Sequence, residues 1–217
     1  MLINLWDSLE IVNKDLHIEF CSRKLAKFAV EHWHYSHKMP AGASINFAVW
    51  EKGQFIGAVV FAYGSNYKIA QQYHLKHYQI RELSRVALTT HANPVTKILS
   101  ICIKMLKENY PEIQLLVSYA DSEQGHIGKI YQANNWIYVG TTDEKPRIKL
   151  NNQIYHTKTI YNKYKTSSIY YLKENVDPNA EFVKSKLKYK YLFPLNKSIA
   201  KQIKNIAKPY PKTLENE

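Results

Sequence analysis

The sequence predicts an α/β protein, and three stretches predict it. Residues 115–140, LLVSYADSEQGHIGKIYQANNWIYVG, pass from a short apolar strand through small and polar residues into a helical patch and back to a strand. Residues 45–63 hold two apolar runs joined by Glu51-Lys52-Gly53-Gln54, the pattern of a hairpin. Residues 80–109 set a strand-like run, IRELSRVAL, before a long amphipathic helix. Polar groups that follow a strand in such a sheet collect at its carboxyl end, where ligands bind.

In chain order, the apolar runs 2–6 and 16–20 are expected as strands. Ser22 is placed to cap a helix whose apolar positions are Leu25, Ala26, Phe28, Ala29 and Trp33. That helix runs into EHWHYSHKMPAG, residues 31–42, which crowds His32, His34 and His37 around Tyr35 before a Pro-Ala-Gly stop. Residues 65–77, with His74 and His77, lack periodicity and are expected as a substrate-facing loop. Asn93 is the expected cap of the second helix. Pro94 stands in its first turn, and Val95, Ile98, Leu99, Cys102, Met105 and Leu106 share a face. A strand feeding a helix start is an anion site, because free backbone N–H groups and the helix dipole point at the ligand. Asn93, Thr96 and Lys97 are the residues expected to grip a phosphate there.

Within residues 115–140 the polar break holds Ser118, Asp121, Ser122, Gln124, Gly125 and His126, and Ile127, Ile130, Tyr131 and Asn134 follow at helical spacing. Residues 136–139 return as a strand. Beyond Thr142, residues 148–164 read as a hairpin around Asn151-Asn152 that carries Tyr155, His156 and Tyr161. Pro178 opens an expected helix over 179–188, a strand-like run covers 188–195, and a last helix over 197–207 ends before Pro209.

Charge divides the chain. Residues 1–144 hold 14 Lys/Arg and 13 Asp/Glu, whereas residues 145–217 hold 16 Lys/Arg and 5 Asp/Glu, which accounts for nearly all of the net charge of +12. Eight of the 17 tyrosines lie in that last third. Basic residues interleaved with aromatics suit phosphate contact and base stacking, although a solvated lysine-rich surface has the same composition. We therefore expect a catalytic core in 1–144 and a basic extension, 145–217, packed on it and contacting nucleic acid. Two cysteines give no disulfide framework, and no apolar run approaches the roughly 18 residues of a membrane span. A cytoplasmic setting without membrane partners is the expectation.

The candidate chemistry gathers in 30–140. His34 and His37 share a helical face and invite a metal ion, with Asp121, Glu82 or a Tyr from another segment completing the set; the alternative is helix-end histidines or acid–base groups without metal. Asp121 and His126, on the strand-end loop, are placed to orient or deprotonate an amine. Tyr63, Tyr119, Tyr131 and Trp136 are candidates to stack on or bond a base, with Trp136 as core the competing reading. Arg85, inside an apolar strand, needs a partner: Glu82 or a bound phosphate.

These residues also carry a resemblance. The run IYQANNWIYVG resembles the last segment of the GNAT acyltransferases, and the 45–63 hairpin has the look of a GNAT core hairpin. More specifically, HWHYSHKMPAG (32–42), FAVWEKGQFIGAVVFAYGSN (47–66), ELSRVAL (82–88), residues 115–140, KYKYLFPL (188–195) and KPYP (208–211) resemble, in order, the DNA-modifying Mom proteins of Mu-like phages. The resemblance implies a GNAT-like mixed, mostly antiparallel sheet flanked by helices. It implies conversion of adenine in double-stranded DNA to an N6-carbamoylmethyl derivative, which protects phage DNA from restriction in the bacterial host. Tyr131 matches the tyrosine that protonates a leaving thiolate in GNAT enzymes. The site expected is Asp121, Tyr131, His34 and Ser118 for chemistry, with Tyr35, Tyr119, His126, Arg85, Lys188 and Lys190 on the DNA substrate. Acetyl-CoA or a related donor and iron are the cofactors it brings into question. The sequence departs from GNAT at residues 90–97, THANPVTK, where the glycines that grip the coenzyme A pyrophosphate are missing. Two other readings stay open: an acetyl-CoA-dependent N-acetyltransferase acting on a protein or small molecule, and a non-catalytic nucleic-acid-binding module.

Overall fold

The computed structural model describes residues 15–64, 68–143, 146–185 and 187–212; the expected strand at 2–6 lies outside them. Strand β1 (Leu16–Phe20) leads through Ser22 into helix α1 (Arg23–Trp33). The Ser22 hydroxyl accepts the Leu25 N–H, so the cap forms as the sequence suggests. Helix α1 buries Ala26, Ala29 and Val30 against Ala58, Val60 and Ala87 of the sheet, small residues on both sides that let helix and sheet approach closely.

Strands β2 (Ser44–Glu51) and β3 (Gln54–Ala62) form the expected hairpin, with Lys52 and Gly53 both at positive φ in the turn. The region expected as a loop holds a short helix α2 (Lys68–Gln71) and a 3-10 turn (His77–Gln79). Strand β4 (Ile80–Leu88) and helix α3 (Val95–Asn109) follow, and α3 buries Ile98, Leu99, Cys102 and Leu106. Pro94, not Asn93, is the cap residue, because the Asn93 side chain is drawn to Glu51 and Lys97 instead. Strand β5 (Leu115–Asp121) runs four residues beyond its apolar start and carries Ser118 and Asp121 within it. Helix α4 is a single turn (Lys129–Gln132), and β6 (Ile137–Thr141) is the returning strand.

The seven-stranded sheet has the order β1-β2-β3-β4-β5-β10-β6, where β10 is Lys188–Pro194. All of its pairings are antiparallel except β4 with β5. This is the mixed, mostly antiparallel sheet flanked by helices that was expected. It corrects the division at residue 144, because a strand from the basic extension sits between β5 and β6. Tyr191 and Leu192, neighbours that point to opposite faces, are both fully buried, as a central strand requires.

Residues 146–184 form a small unit with its own apolar centre of Ile148, Leu150, Ile160, Leu172 and Ala180. Strand β7 (Pro146–Leu150) pairs with β8 (Gln153–His156) across Asn151-Asn152, both at positive φ, and with β9 (Glu181–Lys184) on its other side. Helices α5 (Thr157–Tyr164) and α6 (Ile169–Asn175) cover it. Three expectations are corrected here. Tyr161 lies on α5 rather than on the hairpin, α6 starts at a Ser168 cap the sequence reading passed over, and the expected 179–188 helix is strand β9. Asp177 decides the last case: its carboxylate accepts the N–H groups of Asn151 and Asn179, which turns the chain back along β7 before a helix can start. The final helix α7 (Lys197–Lys204) is capped by Asn196 and buries Ile199 and Ile203.

Candidate functional site

The parallel pairing of β4 with β5 lasts only from Ile80–Glu82 against Leu115–Val117. Beyond it the strands part, and a cavity of ≈ 990 Å³ opens in the gap. Nine expected site residues line it: His34 and Tyr35 from the end of α1, Arg85 from β4, Tyr119 and Asp121 from β5, His126 from the loop that follows, Tyr131 from α4, and Lys188 and Lys190 from β10. His37, Asn93, Thr96 and Lys97 do not line it.

His34 has a defined tautomer. The Ser36 N–H donates to its Nδ1 at 3.1 Å, and the Ser36 hydroxyl lies 2.8 Å from the same atom. A ring nitrogen that accepts bears no proton, so the neutral ring carries its proton on Nε2. Burial, and then the Arg85 charge, push the imidazole down to about 4, so it is neutral at physiological pH. Tyr35 packs against His34 at 4.3 Å with the rings tilted by 30°, meets His126 edge-on at 5.9 Å and remains 49% exposed at the cavity mouth.

Ser118 lies beneath the cavity. Its Oγ is 2.8 Å from the Leu83 carbonyl across the parted strands and 2.8 Å from the Tyr131 hydroxyl. A serine has one proton for these two partners. Given to Leu83, it leaves Tyr131 to donate to Ser118; given to Tyr131, it frees the phenol proton. Burial pushes the Tyr131 phenol up to about 12, so it keeps its proton at neutral pH. Trp136 is fully buried, 5.3 Å from Tyr131 and 5.5 Å from Phe193, and is core rather than a stacking platform. Tyr63 lines the cavity but is held there by Arg81 at 3.8 Å and His77 at 4.8 Å, both stacked on its ring.

Asp121 and Lys188 face each other across the β5–β10 pair with Oδ2 and Nζ 2.7 Å apart. Lys190 donates to the Tyr73 hydroxyl at 3.0 Å and to Gln72 at 3.3 Å, and burial lowers its pKa. Arg85 satisfies itself on carbonyls, Nε on Lys38 at 2.9 Å and a terminal nitrogen on Ser84 at 2.6 Å. The expected Glu82 partnership is not the bond it makes. Glu82 instead lines the cavity with its carboxyl raised by burial, held by the Ser84 hydroxyl at 3.3 Å. Gly64, at φ +75, packs so close that a Cβ would stand 2.6 Å from Glu82 Oε2. Glu82 entered the sequence reading only as an ion-pair or metal partner. Arg147, another wall residue, was missed, although its alternation with buried Ile148 already marks the outward face of β7.

The strand–helix junction differs from expectation. The N–H groups of Ala92 and Asn93, expected to face a phosphate, donate to the Glu51 carboxylate at 2.8 and 2.7 Å. Lys97 is tied to the Asn93 side chain at 2.9 Å, and the Thr96 carbonyl accepts from Asn134.

The metal reading of His34 and His37 is also corrected. His37 is exposed, with Nδ1 bonded to the Glu31 carbonyl, while His34 has Nδ1 taken by Ser36 and its proton on Nε2. Among the described residues no three His, Cys, Asp or Glu stand together as a metal-binding group. These histidines do not fit an iron ligand set of the two-histidine, one-carboxylate kind.

Fold and site together define an α/β protein whose ligand cavity opens where two parallel strands of a mostly antiparallel sheet diverge. The profile of the Mom protein family matches residues 15–212, and the chain belongs to that family. It is similar to the methylcarbamoylase mom of Escherichia phage Mu, 26% identical over 209 residues that cover 92% of this chain and 85% of that protein. Among solved structures it matches an N-acetyltransferase from Staphylococcus aureus Mu50, 9% identical over 83% of this chain and 97% of that one, TM-score 0.43. It also matches the spermidine/spermine N-acetyltransferase SpeG of Vibrio cholerae, 9% identical over 87% and 98%, TM-score 0.47. Among the described residues no helix is long and apolar enough to cross a membrane.

Proposed function

We propose that this chain is a transferase that converts adenine in double-stranded DNA to its N6-carbamoylmethyl derivative, protecting phage DNA from restriction in the host cytoplasm. The observation that carries the reading is the cavity between β4 and β5: its size suits a nucleotide, it is lined by three carboxylates, Glu82, Asp121 and Asp143, and cations from β4, β7 and β10 stand around it. Family membership and the phage Mu relative support the reaction type.

A base inside a duplex is out of reach, so the target adenine must be flipped into the cavity. Tyr35, with one face on His34 and about half its surface exposed, offers a stacking surface at the mouth. Arg85, Arg147 and Lys190 are the groups to hold flanking phosphates. In the transfer, N6 bonds to the methylene carbon of the donor as that carbon parts from its leaving group. N6 loses one proton and the leaving group takes one up. Glu82 and Asp121 are the acceptors on β4 and β5, and Tyr131, protonated at neutral pH and hydrogen-bonded to Ser118, is the donor. His34 presents a fixed Nε2–H as a hydrogen-bond donor to the base or the transferred amide.

Mass spectrometry of nucleosides from plasmid DNA, after expression of the protein in a bacterium, tests this. A new adenosine species heavier by a carbamoylmethyl group, absent with Glu82→Gln, Asp121→Ala or Tyr131→Phe, is expected. Unmodified DNA from folded, well-expressed protein, with the phage's other genes supplied, would refute it.

A further inference from the structure

A helix start that follows a strand offers backbone donors to a phosphate. In this chain the offer is already taken. Glu51 Oε2 accepts the Ala92 N–H at 2.8 Å, and Oε1 accepts the Asn93 N–H at 2.7 Å and the Asn93 side-chain amide at 2.8 Å. The Asn93 oxygen then receives Lys97 Nζ at 2.9 Å, so the nearest cation is committed as well. Pro94 removes the next N–H, and the segment 90–97 has no glycine to let a ligand approach the backbone.

Glu51 is an anion held in place. It is 9% exposed, and although burial opposes its charge, the bonds from Ala92 and Asn93 hold its carboxyl below the usual range. As the last residue of β2 it is paired with Leu16 on one side and Gln54 on the other, which fixes its backbone in the sheet. A phosphate arriving here would find its donors occupied and a like charge in its place.

We infer that Glu51 fills the anion position of this junction from within, and that the donor of the transferred group carries no diphosphate but is a small molecule entering through the cavity between β4 and β5. The donor half of this inference rests on the proposed transferase reading. The residues present do not fit coenzyme A held in the manner the GNAT resemblance implies.

The first test is thermal unfolding of the full chain with acetyl-CoA, coenzyme A or inorganic pyrophosphate. A ligand present at a hundred times its Kd would raise the melting temperature by about 5–10 °C. We expect no saturable shift with wild type and a gain with pyrophosphate in Glu51→Ala, or in Glu51→Gln should the alanine variant not fold. Saturable stabilisation of wild type by acetyl-CoA, or a folded variant as indifferent to pyrophosphate as wild type, would overturn the inference. The second test supplies small-molecule extract, with or without nucleotide pyrophosphatase treatment, to protein and DNA. Modification that survives treatment supports a donor without a diphosphate; modification lost on treatment, with the protein still folded, overturns it. Absence of modification with untreated extract counts against the transferase reading, and the melting shifts still decide the role of Glu51.

Discussion

Removing residues 145–217 should abolish folding of residues 1–144, although they hold most of the candidate site. The loss can be worked from β10. This strand pairs with β5 along its whole length, from Lys188 opposite Asp121 to Pro194 opposite Leu115, and with β6 on its other edge. Tyr191 and Leu192 are fully buried and Leu195 nearly so. At about 1.5–3 kcal/mol for each large buried side chain, these three contribute roughly 5–9 kcal/mol, comparable to the whole stability of an ordinary domain of about 5–15 kcal/mol. Truncation also leaves β5 with an unpaired apolar edge and β6 without a sheet. The single substitution Leu192→Ala isolates part of this and should cost about 2–5 kcal/mol in urea unfolding followed by circular dichroism. A 1–144 fragment that unfolds cooperatively, or a Leu192→Ala cost below about 1 kcal/mol, would refute the assignment of β10 to the core.

Three further outcomes are expected. Unfolded His34 titrates near 6.5 and folded His34 near 4, so between these values the unfolded chain binds the extra proton and stability falls as pH drops from about 6.5 to 4. Full linkage would give about 3 kcal/mol, solvent at the cavity side screens it to about 1–2, and His34→Asn should flatten the urea-midpoint profile over that window by that amount. Gly128 stands at φ +85 with a would-be Cβ 2.4 Å from the Tyr191 ring, so Gly128→Ala should cost at least about 2 kcal/mol, read by thermal unfolding; an unchanged melting temperature would contradict the packing. Asp121 and Lys188, 2.7 Å apart and part-buried, should show a coupling of about 1 kcal/mol in a double-mutant cycle, and strictly additive variants would mean that the pair contributes nothing to stability.

What was legible in the sequence was local. The Ser22 cap, the Lys52-Gly53 turn, the Asn151-Asn152 turn and the apolar face of α3 each follow from a few adjacent residues, and all form. The 115–140 stretch supplies eleven of the 31 residues that line the cavity, because strand, loop and helix keep their chemistry within one short reach of chain. The failures are long-range. Nothing near Glu51 says that its carboxylate will meet Ala92 and Asn93, about forty residues on; at the end of an apolar run before Lys-Gly it reads as the start of a turn. Asn93 has the right type for a cap, and only its bonds to Glu51 and Lys97 explain why Pro94 takes that place. Glu82 was visible as a charge in an apolar strand, but its place in a cavity depends on where β5 stops pairing with β4.

The segment Lys188-Tyr189-Lys190-Tyr191 shows how one pattern supports two readings of unequal depth. As composition, alternating lysine and tyrosine suggests a surface where phosphates and bases are both met. As a strand, the same alternation sends the two residue types to opposite faces. The structure has the strand. Tyr191 is part of the main core with Tyr189 packed against it, and Tyr191 bonds the Ile127 carbonyl behind α4, while Lys188 and Lys190 both line the cavity. The tyrosines are therefore spent on packing, and of this segment only the lysines face the cavity, the side on which the proposed DNA substrate would lie. It follows that Lys190→Gln should weaken DNA association and its salt dependence with the fold intact, whereas Tyr191→Ala should unfold the protein before any loss of DNA contact is seen.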